Sequence, residues 1–170
     1  MSAKKKPTGK SSKTTTTKAG SKAGSSKASK KTGALRVGSA LLDQLVQEAK
    51  AVRERAYAPY SNYPVGAAIA TKSGAIYVGC NVENSSFGGT ICAERGAIMA
   101  MVAAGERDPI ACAVVTGDEG ASPCGICRQV LSEFATDMPV VLVGLGSREG
   151  ETGRVVQLAD LLPLAFRFKR

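Results

Sequence analysis

The sequence predicts a layered α/β domain on a mixed sheet of about five strands, and three observations predict it. Short apolar runs of strand length alternate with segments of helical periodicity. The strand runs in the second half are continuously apolar, as in strands covered on both faces. A hairpin pattern in the first half adds antiparallel pairing to what would otherwise be a parallel arrangement. No internal repeat is present.

The elements follow in order. Over 39–56 the apolar residues Leu41, Leu42, Leu45, Val46, Ala49, Val52 and Ala56 recur at helical spacing, with Asp43, Gln44, Gln47, Glu48, Lys50 and Arg53 opposite. Ser39 is the expected N-cap. Ala58-Pro59 ends the helix, because a residue before proline avoids the helical region. Strands are expected over 65–71 and 75–80 around a Lys72-Ser73-Gly74 turn. A helix rich in Ala, Met, Ile and Val spans 92–104, with Gly105 at its C-terminal cap. Strand 110–116, helix 124–134 behind Pro123, strand 140–145 and a short strand 154–157 follow. Residues 158–162 form one helical turn, and 146–153 a polar loop.

The first 33 residues contain ten lysines, no acidic residue and no large apolar residue beyond Met1. Such a stretch buries too little apolar area to offset its ordering entropy. Residues 1–34 are therefore expected to be a disordered tail, and 35–170 the folded domain. The tail carries the charge. Of 23 basic residues 13 remain after it, against 14 acidic ones, so the +9 of the chain becomes −1 in the body. A neutral body argues against nucleic-acid recognition by the fold. The tail reads as a solvated extension, with a weak, salt-sensitive polyanion contact as the sharper alternative. No apolar run reaches the roughly 18 residues that span a bilayer. No apolar segment follows the basic N-terminus as a secretory signal would require. Five cysteines, an odd number, fit a reducing, cytoplasmic setting.

Three of those cysteines carry the chemistry. Cys124 and Cys127 form a Cys-x-x-Cys pair at a predicted helix start, and Cys92 stands at another. Helix N-termini favour thiolate, the metal-binding form. Three thiolates leave one corner of a tetrahedral zinc for water, the arrangement of a catalytic rather than a structural site. Glu94 is placed to handle protons beside a water whose pKa zinc lowers. The chain lacks histidine, so that work falls to a carboxylate. Arg95 and Arg128, each next to a proposed ligand, could offset the thiolate charge. Two other readings stay open: a redox Cys-x-x-Cys, though no tryptophan is present, and a closed structural zinc with Cys80 or Cys112 as fourth ligand. Both spare thiols lie in apolar strands, where cysteine acts as a small hydrophobe. Asn81, Glu83 and Asn84 at a strand end suit either turn chemistry or hydroxyl binding.

Cys92-Ala93-Glu94-Arg95 together with Pro123-Cys124-Gly125-Ile126-Cys127-Arg128-Gln129 resembles the zinc nucleoside deaminases, a class with a P-C-x-x-C signature that admits a Cys₃ site. The match is nearest to the short, three-cysteine cytidine deaminases. It includes Tyr60-Ser61-Asn62-Tyr63-Pro64-Val65-Gly66-Ala67-Ala68, Asn81-Val82-Glu83-Asn84 and Asp160-Leu161-Leu162-Pro163, and covers about 39–166. The resemblance implies an α/β/α sandwich and one zinc per subunit on Cys92, Cys124 and Cys127. It implies Glu94 as proton shuttle, and hydrolysis of cytidine or deoxycytidine to the uridine product and ammonia. It further implies ribose contacts from Asn81 and Glu83, backbone N–H groups near Ala93 and Cys124 beside the base, and Arg95 bonded to ligand sulfur. The assembly it implies is a homotetramer with shared active sites. Tyr63 replaces the usual phenylalanine against the base. Phe87 stands for an aromatic that reaches in from another subunit, and Phe166, followed by Arg167, for a base-stacking phenylalanine. Related rivals are a deaminase of a nucleoside antibiotic and a polynucleotide cytosine deaminase.

Overall fold

The computed structural model describes residues 37–146 and 152–168, so the expected tail and its boundary lie outside the described residues. The elements are α1 (Ser39–Arg53), β1 (Gly66–Thr71), β2 (Ile76–Cys80), α2 (Ala93–Ala103), β3 (Pro109–Thr116), α3 (Gly125–Phe134), β4 (Pro139–Gly144), β5 (Thr152–Gln157) and α4 (Leu158–Leu161). A 3-10 turn spans Phe87–Gly89. The strands form one five-stranded sheet in the order β2-β1-β3-β4-β5. β3 and β4 run parallel, joined through α3, and the other pairs are antiparallel. The mixed α/β architecture expected from the sequence is thus the one observed.

Period-2 alternation divides each central strand between two cores. Ala67 and Ile69 of β1, Cys112 and Val114 of β3, and Val140 and Leu142 of β4 face α2 and α3, where Ala93, Ala97, Ile98, Met101 and Leu131 meet them. Ala68, Ala70, Ala111, Ala113, Val115, Val141 and Val143 face α1 through Leu45, Val46 and Ala49. Helices on both faces explain why β3 and β4 read as unbroken apolar runs.

Both ends of α1 differ from expectation. Ser39 is the first helical residue, not the cap. Gly38 takes that place, and its carbonyl accepts the N–H groups of Leu41 and Leu42. At the other end α1 stops at Arg53, and 54–56 form tight turns through Arg55 N–H to Val52 O and Ala56 N–H to Arg53 O, both 3.0 Å. At the end of α2, Gly105 has φ +90°, and its N–H bonds to Val102 O while that of Glu106 reaches Met101 O. This is the left-handed helix ending that glycine permits.

Small residues set how close α2 comes to the sheet. A Cβ on Gly79 would lie 2.3 Å from Ala97 N and 2.4 Å from Ala93 O. The first turn of α2 therefore rests on bare backbone of β2. Gly79→Ala is expected to push α2 outward and destabilise the fold by roughly 3 kcal/mol, the upper range for overpacking. Denaturant unfolding measures this, and a loss below about 0.5 kcal/mol would mean that α2 can slide away at little cost.

Candidate metal centre

Cys92 is the N-cap of α2 and Cys124 the N-cap of α3; Cys127 lies in the first turn of α3. Each cap position sits one residue before its helix, so the predicted starts at 92 and 124 are met within one residue. The fold brings the two helix tips together. There the sulfurs of Cys92, Cys124 and Cys127 lie within 4.8 Å of one another, and those of Cys92 and Cys124 are 3.9 Å apart. Thiolates on one tetrahedral zinc at about 2.3 Å stand about 3.8 Å apart. The donor set fits such an ion. Among the described residues, no fourth histidine, cysteine or carboxylate joins the cluster.

Electrostatics agree with the geometry. The Cys92 thiol is drawn down to about 5, first by its hydrogen bond with Cys127 and then by Arg95 and Cys124, against the opposing effect of burial. Cys127 moves the other way, because in that pair it holds the proton, and burial adds to this. Arg95 Nη2 donates to Cys92 Sγ at 3.8 Å and to Thr90 O. Its Nε is buried without a hydrogen-bond partner among the described residues. The guanidinium thus lies against the sulfur cluster on its Cys92 side. Arg128 does not. It donates to Pro123 O (2.6 Å), Ser122 Oγ (2.8 Å) and Leu161 O (2.9 Å), so it ties down the loop before Cys124 instead of facing the sulfurs.

Glu94 is 4% exposed, in the first turn of α2. Burial raises its pKa above the usual carboxylate range, and the charge on Cys92 raises it further. Ala93, fully buried, opens α2, where the first N–H groups have no acceptor within the helix. Cys112 is buried in the core, its thiol pushed up by burial, and Cys80 donates to Arg55 O at 3.5 Å. Neither spare thiol belongs to the cluster, which removes the closed four-cysteine alternative.

The strand-end residues are structural braces. Asn81 is 7% exposed; its Oδ1 accepts Val65 N–H (2.8 Å) and its Nδ2 donates to Tyr63 O (2.9 Å). Glu83 Oε2 accepts the N–H groups of Tyr60 (2.8 Å) and Ser61 (3.2 Å). Its carboxyl is held below the ordinary range, first by the hydrogen bond from Ser61. Together they hold the 60–65 turn against the end of β2. Phe87 is 73% exposed, edge-on to Tyr60 at 5.7 Å. Phe166 is 66% exposed and edge-on to Phe168 at 5.1 Å; its carbonyl accepts Gln129 Nε2. Sequence reasoning missed Asp118, whose carboxylate accepts the Tyr63 hydroxyl. A tyrosine hydroxyl in need of a partner was the available signal.

Comparison with known proteins agrees with this geometry. Residues 39–143 match the family model described as the cytidine and deoxycytidylate deaminase zinc-binding region. A cytidine deaminase of Sporosarcina psychrophila is 49% identical over 127 residues, covering 74% of this chain and 90% of that protein. One of Halalkalibacterium halodurans is 43% identical over 124 residues, covering 72% of this chain and 91% of that protein. The crystal structure of a cytidine deaminase from Burkholderia pseudomallei superposes with a TM-score of 0.68 at 46% identity, covering 73% of this chain and 98% of the other.

Proposed function

Because the chain belongs to the cytidine and deoxycytidylate deaminase zinc-binding family, we propose that it hydrolyses cytidine and 2′-deoxycytidine to uridine and 2′-deoxyuridine, releasing ammonia. The observation that carries this reading is the convergence of three thiols beside a buried carboxylate at two helix tips. The thiolates of Cys92, Cys124 and Cys127 would hold the metal. A zinc ion bound there would lower the pKa of water and polarise it for attack.

The remaining work belongs to the chain. Glu94 takes a proton from the attacking water and delivers it to N3 of the pyrimidine. The second water proton goes by the same carboxylate to the 4-amino nitrogen, which leaves as ammonia when the C4–N bond breaks. One C–O bond forms, one C–N bond breaks, and both protons of water are accounted for. A carboxyl with a raised pKa suits alternating acid and base roles near neutral pH. Arg95 keeps the sulfur charge from accumulating. The N–H groups at the start of α2 and α3, near Ala93 and Cys124, point polar hydrogens toward the reacting base.

Asn81 and Glu83 can meet ribose hydroxyls from their braced positions. An amide nitrogen has a second hydrogen after bonding Tyr63 O, and a carboxylate keeps acceptor sites after two N–H bonds. Tyr63 and Phe166 supply ring surface for the base. The exposed rings of Phe87, Phe166 and Phe168 support an assembly in which neighbouring subunits cover them. A homotetramer is expected, and light scattering should return four times the chain mass of 17.5 kDa; a monomer mass rejects the shared site. Among the described residues no helix is long and apolar enough to cross a membrane. The need for three reduced thiols supports a cytoplasmic location. Loss of cytidine absorbance with ammonia release, abolished by a zinc chelator and restored by zinc, tests the whole reading. Turnover that survives complete metal removal rejects it.

A further inference from the structure

The mechanism above gives no task to the Tyr63 hydroxyl, Thr116 or Asp118. A ring used only for stacking needs no hydroxyl. Yet Tyr63 OH donates to Asp118 Oδ2 at 2.5 Å, across 55 positions of sequence. The other carboxylate oxygen is fixed from within its own loop. Oδ1 accepts the hydroxyl of Thr116, which is 1% exposed, and the N–H of Gly120 at 3.0 Å. Thr116 Oγ1 in turn accepts Ala121 N–H at 3.2 Å, and Asp118 O accepts Gly146 N–H at 3.1 Å. The carboxylate is therefore locked, with one oxygen turned to Tyr63.

Tyr63 is held at its other end as well. Its carbonyl accepts Asn81 Nδ2, and its N–H donates to Ser61 Oγ at 3.1 Å. A second link runs alongside. Arg53 Nε donates to Pro64 O at 3.1 Å, and its Nη2 passes so close to Gly117 that a Cβ there would be 2.9 Å away. The two segments joined in this way differ in role. The 60–65 turn is braced by Asn81 and Glu83. The 117–123 loop ends at Cys124, and Arg128 grips its Ser122 and Pro123.

We propose that Asp118 is a positioning residue, which through the Tyr63 hydroxyl fixes the aromatic wall of the substrate mouth against the loop that carries Cys124, and so governs how tightly the pyrimidine nucleoside is held. The inference rests on the deaminase reading. The Tyr63 hydroxyl ionises above its usual value of 10.0, through burial first and the bond to Asp118 second, with Thr116 and Arg53 opposing. Asp118 is lowered, by Thr116 first and Tyr63 second.

The test is a double-mutant cycle on cytidine kinetics. Asp118→Ala and Tyr63→Phe are each expected to raise KM roughly five- to ten-fold, the effect of one partly exposed hydrogen bond to an ionised partner, with kcat changed less than about two-fold. The double variant should match the single variants, because both remove the same contact. Asp118→Asn, which keeps an acceptor of the same shape, should recover most of the loss. Tyr63→Phe cuts the link without touching the 117–123 loop, so it decides the matter if Asp118→Ala does not fold. Two KM effects that multiply, or a fall in kcat at constant KM, overturn the proposal. Wild-type turnover of cytidine decides the deaminase reading separately. The contact has its own readout: in chain labelled with ¹³Cζ-tyrosine, the Tyr63 ionisation should move down in Asp118→Ala. An unmoved titration overturns the proposal whatever happens to cytidine.

Discussion

Glu94→Gln is expected to lower kcat for cytidine by about 10³- to 10⁴-fold while leaving zinc at one ion per chain. Loss of a positioned general acid–base typically costs about 10²- to 10⁴-fold, and two features push this case to the upper end. The same carboxylate is asked to carry both protons, one to N3 and one to the departing nitrogen. The chain has no histidine to take over the role. The ligands should be indifferent to the change. Glutamine matches glutamate in size, and the thiol positions come from the caps of α2 and α3, not from the buried side chain. Burial already disfavours charge at this position, so the neutral amide should not weaken the fold. Metal analysis and single-turnover kinetics on one preparation give both numbers. Full turnover in Glu94→Gln would remove the proton shuttle. Lost zinc with lost turnover would instead make Glu94 part of the metal site.

The legible part of this molecule was the part written in local rules. Cys92, Cys124 and Cys127 could be grouped because Cys-x-x-Cys spacing and helix starts are short-range features. Arg95 was a candidate as a neighbour of the ligands, its bond to sulfur was what the family resemblance implied, and the observed contact to Cys92 spans only three residues. The contacts of Arg128 were not legible. Four residues after Cys124, it could have faced the sulfurs, but its reach to Leu161, 33 positions away, is a matter of tertiary structure. Asn81 shows the same limit. Both turn chemistry and substrate binding suited its sequence context, and only the fold reveals the Tyr63 and Val65 backbone groups that its side chain brackets.

Strand boundaries fell within one or two residues, and the shifts are informative. β5 begins at Thr152 because Gly153 pairs opposite Val143, although a glycine in sequence reads as loop. β3 and β4 begin on Pro109 and Pro139, residues that sequence treats as breaks but that the first position of a strand accepts. The turn at Phe87–Gly89 is too short to leave any periodicity. Pairing register and long side-chain reach thus account for what was missed.

Cys124→Ala should separate a metal that merely sits at the helix tips from one that binds them together. With three thiolates from α2 and α3 on one ion, metal affinity would also be folding free energy. At free zinc about a thousand-fold above Kd, binding contributes about 4 kcal/mol. For a domain of this size that is roughly 10 °C in thermal midpoint. The expected pattern has three parts. Wild type loses this increment, and all turnover, when a chelator is added. Cys124→Ala has already lost both and no longer responds to the chelator. Cys80→Ser, which alters a thiol bonded to Arg55 O outside the cluster, behaves as wild type in zinc content and turnover. The choice of Cys124 matters, because it is the exposed member of the three and its removal opens little core. Cys127 is buried, and its truncation would mix a packing defect with metal loss. A Cys124→Ala protein that keeps stoichiometric zinc and a chelator-sensitive midpoint would show that the ion is held elsewhere. The two helix tips would then have converged for packing alone.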